Sequence, residues 1–346
     1  LMVKAGQPVD EMISQLLPRL ESGDLMIDGG NSFFQDTERR SKEIESKGYF
    51  YVGTGISGGE EGALKGPSIM PGGSPDAYAL IEPIVKAISA KVNGDPCVTH
   101  IGPRGSGHYV KMIHNAIEYG DMQLIAEAYD ILHRGLGLSA KELHQIFSQW
   151  NDGPLSSYLI EITADIFTVM DRETNQALVD RILDSAGQKG TGKWTSQNAF
   201  DLGIPIPTIN AAVEARNLSS FKEDRERASR AFPLPYHSYS GGPRAFTDEV
   251  GDALYASKIC SYAQGLVLLQ AASFEYQYHL NLAEIARIWR GGCIIRARFL
   301  DDVSRAYREN PELPNLILAP FFREALLQRQ EAWRHVVETA IQLAIP

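Results

Sequence analysis

Apolar residues recur at helical spacing from Pro8 to Leu20, where Val9, Met12, Ile13, Leu16, Leu17 and Leu20 share one face. Asp24-Leu25-Met26-Ile27-Asp28 then reads as a short apolar strand running into Gly29-Gly30-Asn31-Ser32. A polar helix is predicted from Thr37 to Ser46, and a second strand over Tyr49 to Gly53, leading to Ile56-Ser57-Gly58-Gly59-Glu60. Strand, glycine turn, helix, strand is βαβ organisation, and it predicts a parallel sheet. Ligands of such sheets sit beyond the carboxyl ends of the strands, where both glycine turns fall. From about Gly107 the pattern changes. His108 to Arg134 is one long helical stretch, and most of the remaining chain reads as helices with short Gly/Pro punctuation. Pro233 to Pro243, rich in Pro, Tyr, Ser and Gly, reads as a surface loop. The fold class predicted is α/β plus all-α: part of a parallel-sheet domain over residues 1–105, then a large all-helical domain over residues 106–346.

Two further features lie in the pattern itself. Leu1-Met2-Val3 opens already inside an apolar run, which reads as a cut through a strand. Leu138 to Phe147 resembles Leu280 to Trp289, and each follows a long helix carrying a mid-helix glycine, Gly120 or Gly265. An internal duplication and a chance likeness of amphipathic helices both account for that.

Composition narrows the function classes. The 346 residues are 44% hydrophobic and 22% charged, with a formal charge of −10, which argues against a general nucleic-acid or membrane-surface binder. No stretch reaches the roughly 18 apolar residues of a membrane span, and no secretory leader is read. Cys97, Cys260 and Cys293 are odd in number and have no metal-ligand spacing. They read as small buried hydrophobes in a reducing cytosol, and no metal site is predicted.

The richest chemistry lies in Lys111-Met112-Ile113-His114-Asn115-Ala116-Ile117-Glu118-Tyr119-Gly120-Asp121. Lys111, His114 or Asn115, and Glu118 fall on one helix face, placing a base, hydrogen-bonding groups and an acid in a stripe suited to proton abstraction and return. A solvated Lys–Glu face gives the same spacing. Each glycine turn offers main-chain N–H groups to an anion, though neither is a G-x-G-x-x-G fingerprint. Asp184 to Thr195 loosely echoes a phosphate-binding P-loop, but Trp194 stands where Ser or Thr belongs and Val179 to Ser185 looks helical, so an NTPase is excluded. Its Lys and Thr content still suits phosphate contact, as does Arg216 among small neighbours.

Taken in order, these segments resemble the 6-phosphogluconate dehydrogenase family. The resemblance runs through Leu1 to Gly6, Ile27 to Ser32, Ser57 to Glu60, Lys111 to Gln123, Asp184 to Thr195, Leu254 to Lys258 and Trp289 to Arg296. It implies oxidative decarboxylation of 6-phosphogluconate to ribulose 5-phosphate with NADP as coenzyme, a step of the pentose phosphate pathway. Residues 1–105 then form the later part of an NADP-binding Rossmann-like domain, and residues 106–346 a helical catalytic and dimerisation domain. Lys111 is implied as general base and Glu118 as the acid that protonates C1. Asn31, Ser57, Gly58, Gly59, His114 and Asn115 are implied around the carboxylate and hydroxyls of the substrate. Tyr119, Lys189, Thr191 and Arg216 are implied around its phosphate, and Val3, Lys4, Ala5, Asn31 and Glu60 along the coenzyme. A base at Lys111 must start neutral, so burial and nearby positive charge are expected to lower its pKa.

The chain departs from the family pattern at both ends. It lacks the dinucleotide fingerprint with its 2′-phosphate residue and the tail that reaches the partner subunit, so it is expected to be incomplete for activity by itself. A homodimer in the cytoplasm is implied. A β-hydroxyacid dehydrogenase of the 3-hydroxyisobutyrate type, which lacks the Gln188 to Lys193 loop, and a non-catalytic oligomerising chain are the competing readings.

Overall fold

The computed structural model describes residues 1–233 and 239–346. Leu1 is not in a strand, yet Gly29 donates to its carbonyl at 2.8 Å, so the first residues run beside the end of β1 (Leu25–Asp28). α1 (Gln7–Leu16) stops short of the predicted Leu20, because Pro18 cannot donate and the chain tightens into a 3₁₀ turn over Leu17–Arg19. α2 (Phe34–Glu45) starts before Thr37, since Phe34 is buried edge-on against Tyr109 and draws the first turn inward.

β2 (Phe50–Ser57) is longer than predicted and serves two partners. Its first half pairs parallel with β1, Leu25 opposite Phe50 and Asp28 opposite Gly53. Its second half pairs antiparallel with β3 (Ser68–Pro71), Thr54 opposite Pro71 and Ser57 opposite Ser68. The sheet is therefore mixed, not parallel throughout. The connection through α3 (Gly59–Lys65) is too short for the dozen or so residues a parallel crossover needs, so the chain doubles back. α4 (Pro75–Ile88) and the small hairpin of β4 (Lys91–Val92) and β5 (Asp95–Pro96) close this part.

α5 (Ser106–Asp130) enters the helical part and is buried on nearly every face, as a central helix must be. A π-helical turn over Ile131–Gly135 ends it. Around it pack α7 (Tyr158–Ile166), α8 (Thr191–Asp201) and α9 (Pro207–Ser219), with α6 (Ala140–Asn151) packed on α7 and α10 (Lys222–Ala231) following α9 without a buried residue. The 33-residue α11 (Pro243–Glu275) crosses α5 directly, and α12 (Leu282–Ile288), α13 (Leu300–Glu309) and α14 (Pro320–Gln342) complete the bundle. The crossing is reciprocal. A Cβ at Gly120 would strike Ser261 on α11, and one at Gly265 would lie 2.6 Å from Ile117 on α5. Leu178–Arg181 forms only a 3₁₀ turn and residues up to Gly190 are irregular, in place of the helix predicted from Val179 to Ser185. The predicted Pro233 to Pro243 loop lies largely outside the described residues. Among the described residues no helix is long and apolar enough to cross a membrane.

Candidate active site

α5 lies directly on the sheet because glycines meet there. A Cβ at Gly107 would collide with the carbonyls of Met70 and Gly53, and one at Gly55 with the side chain of Lys111 and, at 2.8 Å, the carbonyl of Gly107. Strand β2 thus carries glycines where the helix needs space, and Lys111 is pressed against its surface with 6% exposure. This is no solvated face. His114, fully buried, meets Ser57 Oγ at 3.1 Å through Nε2 and Asn115 Oδ1 at 3.1 Å through Nδ1, and lies 4.0 Å from Glu118.

Burial pushes the Lys111 amine down to about 8, while the charges of Glu118 and Cys293 pull it back up. The expected help from neighbouring positive charge is therefore not found; removal from water does the work alone. Burial lifts the Glu118 carboxyl above its usual range, opposed by Lys111 and Arg216 and assisted by Asp121. Lys111 and Glu118 act on each other across two helical turns, and burial drives both toward their neutral forms. His114 is held well below its usual value by burial and by Lys111, so it serves as a neutral hydrogen-bonding group.

The Ser57-Gly58-Gly59 turn abuts this stripe. Gly58 has φ +135°, a conformation unfavourable to side chains, and a Cβ there would come 2.6 Å from the carbonyl of Gly292. The Gly291–Arg296 segment braces the turn, with Ser68 N donating to Gly292 O at 2.7 Å and Arg296 bonding Glu61 at 3.1 Å. The other glycine turn adjoins it, since a Cβ at Gly29 would be 3.0 Å from Ile56. Val3 and Ala5 are half-buried, whereas Lys4, Asn31 and Glu60 are exposed. A Cβ at Gly30 would lie 2.9 Å from Val3 O, and the position above Gly59 is open space. That open main chain at the strand ends fits an extended anionic cofactor.

At the far end of the stripe, Arg216 stacks over the Tyr119 ring at 4.0 Å, and Asn115 Nδ2 reaches Thr191 Oγ1 at 3.5 Å at the start of α8. The irregular loop ahead of α8 is tied to α9 and α10. Asp184 meets Lys222 at 2.5 Å and Arg225 at 2.8 Å, and Arg216 donates to Gly187 O at 3.4 Å. Lys189 is exposed in that loop. Cys97 and Cys293 are buried as expected, but Cys260 is only half-buried; burial raises all three thiols. The spacing argument did not single out Gly55, the Gly291–Arg296 brace, or the buried partners of Asp121 on α11. Alternating glycines in β2 were the visible sign of the first.

A glycine-turned sheet edge set against a helix that carries a dehydrated lysine and a carboxyl group defines a coenzyme-linked hydroxyacid dehydrogenase. The NAD binding domain of 6-phosphogluconate dehydrogenase matches residues 1–102, and the C-terminal domain of 6-phosphogluconate dehydrogenase matches residues 107–346. The chain belongs to the 6-phosphogluconate dehydrogenase family. It is 60% identical over its whole length to the decarboxylating enzyme of Synechococcus elongatus, of which it spans 74%. It is 56% identical to the NADP(+)-dependent, decarboxylating enzyme of Bacillus subtilis, again spanning 74%. The solved structure of Plasmodium falciparum 6-phosphogluconate dehydrogenase, described apo, with NADP+ and with 6-phosphogluconate, superposes with a TM-score of 0.97 at 49% identity, covering all of this chain and 74% of that one.

Proposed function

We propose that the chain carries the catalytic groups for NADP-linked oxidative decarboxylation of 6-phosphogluconate to ribulose 5-phosphate. The observation that carries this is the dehydrated Lys111 amine, lowered to about 8, opposite a carboxyl raised by the same burial. Lys111 in its neutral form takes the proton of the 3-hydroxyl. NADP, when bound, accepts the hydride from C3. After carbon dioxide leaves, the Lys111 ammonium returns its proton to the former keto oxygen and Glu118 protonates C1 of the enediol. Ser57, Gly58, Gly59, Asn31, His114 and Asn115 hold the carboxylate and hydroxyls; the Ser57–His114–Asn115 chain of hydrogen bonds supports that assignment. Tyr119, Lys189, Thr191 and Arg216 hold the phosphate, which the stacked Arg216 and the start of α8 suit. Val3, Lys4, Ala5, Asn31 and Glu60 line the coenzyme.

On this reading residues 1–105 serve the coenzyme and residues 106–346 serve catalysis and dimerisation. Exposed Leu327, Val337 and Ile341 on α14 give a second copy an apolar surface to cover. The cytoplasm is the fitting compartment for three unpaired thiols. The test is NADPH formation from 6-phosphogluconate by the full-length protein, with unphosphorylated gluconate as the control. Lys111→Met is expected to cost roughly 10²–10⁴ in kcat, the range of a general base, with the circular dichroism unchanged. Wild-type turnover by that variant removes Lys111 from the role.

A further inference from the structure

Beneath Glu118 lies a pair of charges that this chemistry does not use. Asp121 is 1% exposed and Lys258, on α11, fully buried, with Lys258 Nζ 2.7 Å from Asp121 Oδ2. Tyr262, one turn further along α11, brings its hydroxyl to 3.2 Å from the same oxygen and 2.8 Å from the carbonyl of Ile295. Asp121 Oδ1 is buried without a partner. Such an arrangement is a poor way to hold a core together, because well-packed apolar residues generally do as well or better. Its placement is more telling. Asp121 stands three residues from Glu118 on the same helix. Ile295 belongs to the segment whose Cys293 bears on Lys111. The cluster therefore adjoins Glu118 and is tied to the segment that bears on Lys111.

We propose that the Asp121–Lys258 pair, fixed by Tyr262, is a positioning device that keeps the one proton shared by the site on the Glu118 carboxyl and off Lys111. The inference rests on the reading of Lys111 as base and Glu118 as acid. With one proton between them the site has two arrangements of equal proton count, amine with carboxylic acid or ammonium with carboxylate. Only the first can begin the reaction. Glu118 is faced by Lys111, His114 and Asp121 from its own helix, by Arg216 from α9, and by Tyr262 from α11, whose Lys258 is bonded to Asp121. Lys111 and Arg216 favour the carboxylate, and Asp121 is the anion that opposes them. Along the helix Asp121 is roughly 4.5 Å from Glu118 but about 15 Å from Lys111, so its field falls mainly on the carboxyl. Burial raises the Asp121 carboxyl, and the Lys258 ammonium at 2.7 Å and the Tyr262 hydroxyl oppose that rise and favour the carboxylate.

The test is the pH dependence of kcat and KM for the wild type, Asp121→Asn and the double variant Asp121→Asn/Lys258→Met. The double variant strands no buried charge, so it remains informative where the single one folds poorly. Once the ammonium–carboxylate arrangement predominates, each further unit of proton affinity lost by Glu118 is expected to lower the kcat plateau about tenfold. The basic limb, which reports ionisation of Glu118, moves to lower pH, and KM stays within about twofold of the wild type, since no substrate contact is lost. A folded double variant whose basic limb stays in place overturns the inference, whatever its kcat. Full-length wild-type protein that leaves 6-phosphogluconate unchanged in the presence of NADP instead defeats the underlying reading and takes this inference with it.

Discussion

Lys111 and the loop from Asp184 to Gly190 serve one proposed substrate from opposite ends of a site, yet they are held in contrasting ways. Lys111 is buried, with Gly55 of β2 close against its side chain and the first turn of α5 packed on the same strand. The loop is exposed from Asp184 through Lys189, and Asp184 anchors it through ion pairs whose carboxylate is itself more than half exposed. The contrast reflects the two tasks. A base must be stripped of water to be neutral near physiological pH, so its surroundings have to be close-packed. A phosphate-binding cation must stay charged, which a hydrated loop permits without penalty.

The contrast breaks first at Gly55. Gly55→Ala places a methyl group against Lys111, and displacement of the reacting group by about 1 Å costs on the order of 10²-fold in kcat. Steady-state kinetics on folded protein is the check, and an unaltered kcat would show that the packing is looser than described. Next comes stability. The Lys111 amine is lowered from 10.5 to about 8, so the unfolded chain binds a proton more tightly than the folded one. Wild-type stability is therefore penalised at neutral pH and recovers as pH rises from about 8 to 10.5. Lys111→Met removes the penalty. It should gain about 3 kcal/mol at neutral pH and lose that slope, as read by denaturant unfolding at several pH values. The smallest effect is expected at the loop. Exposed ion pairs contribute about 0–1 kcal/mol, so Asp184→Asn should raise the KM for 6-phosphogluconate by about twofold to fivefold and leave kcat alone. Added salt should mimic it in the wild type. A fall in kcat instead would mean that the loop takes part in the chemistry.

Spacing and residue type made much of this legible. The strand ends, the two glycine turns and the Lys111–His114–Glu118 stripe come from periodicities of 2 and 3.6, and resemblance assigned the roles. Spacing left open whether that stripe faced water or an interior, because the deciding partner, Gly55, lies far away in sequence on another element. The antiparallel return of β3 was missed, since the strand signal carries no direction and only the shortness of the α3 connection fixes it. The helix expected over Val179 to Ser185 was overridden by ties across the loop. Ala186 N bonds Ser219 and Asp184 is drawn to α10, so the chain is pulled away from helical geometry. The pairing of Asp121 with Lys258 joins residues 137 positions apart, beyond the reach of any local pattern.

The close approach at Gly107 has a mechanical consequence. Where backbone meets backbone there is no cushion of side chains to slide or tilt, so the sheet and the bundle are welded at that point and cannot open like jaws. On heating, the two parts should melt together in a single calorimetric peak.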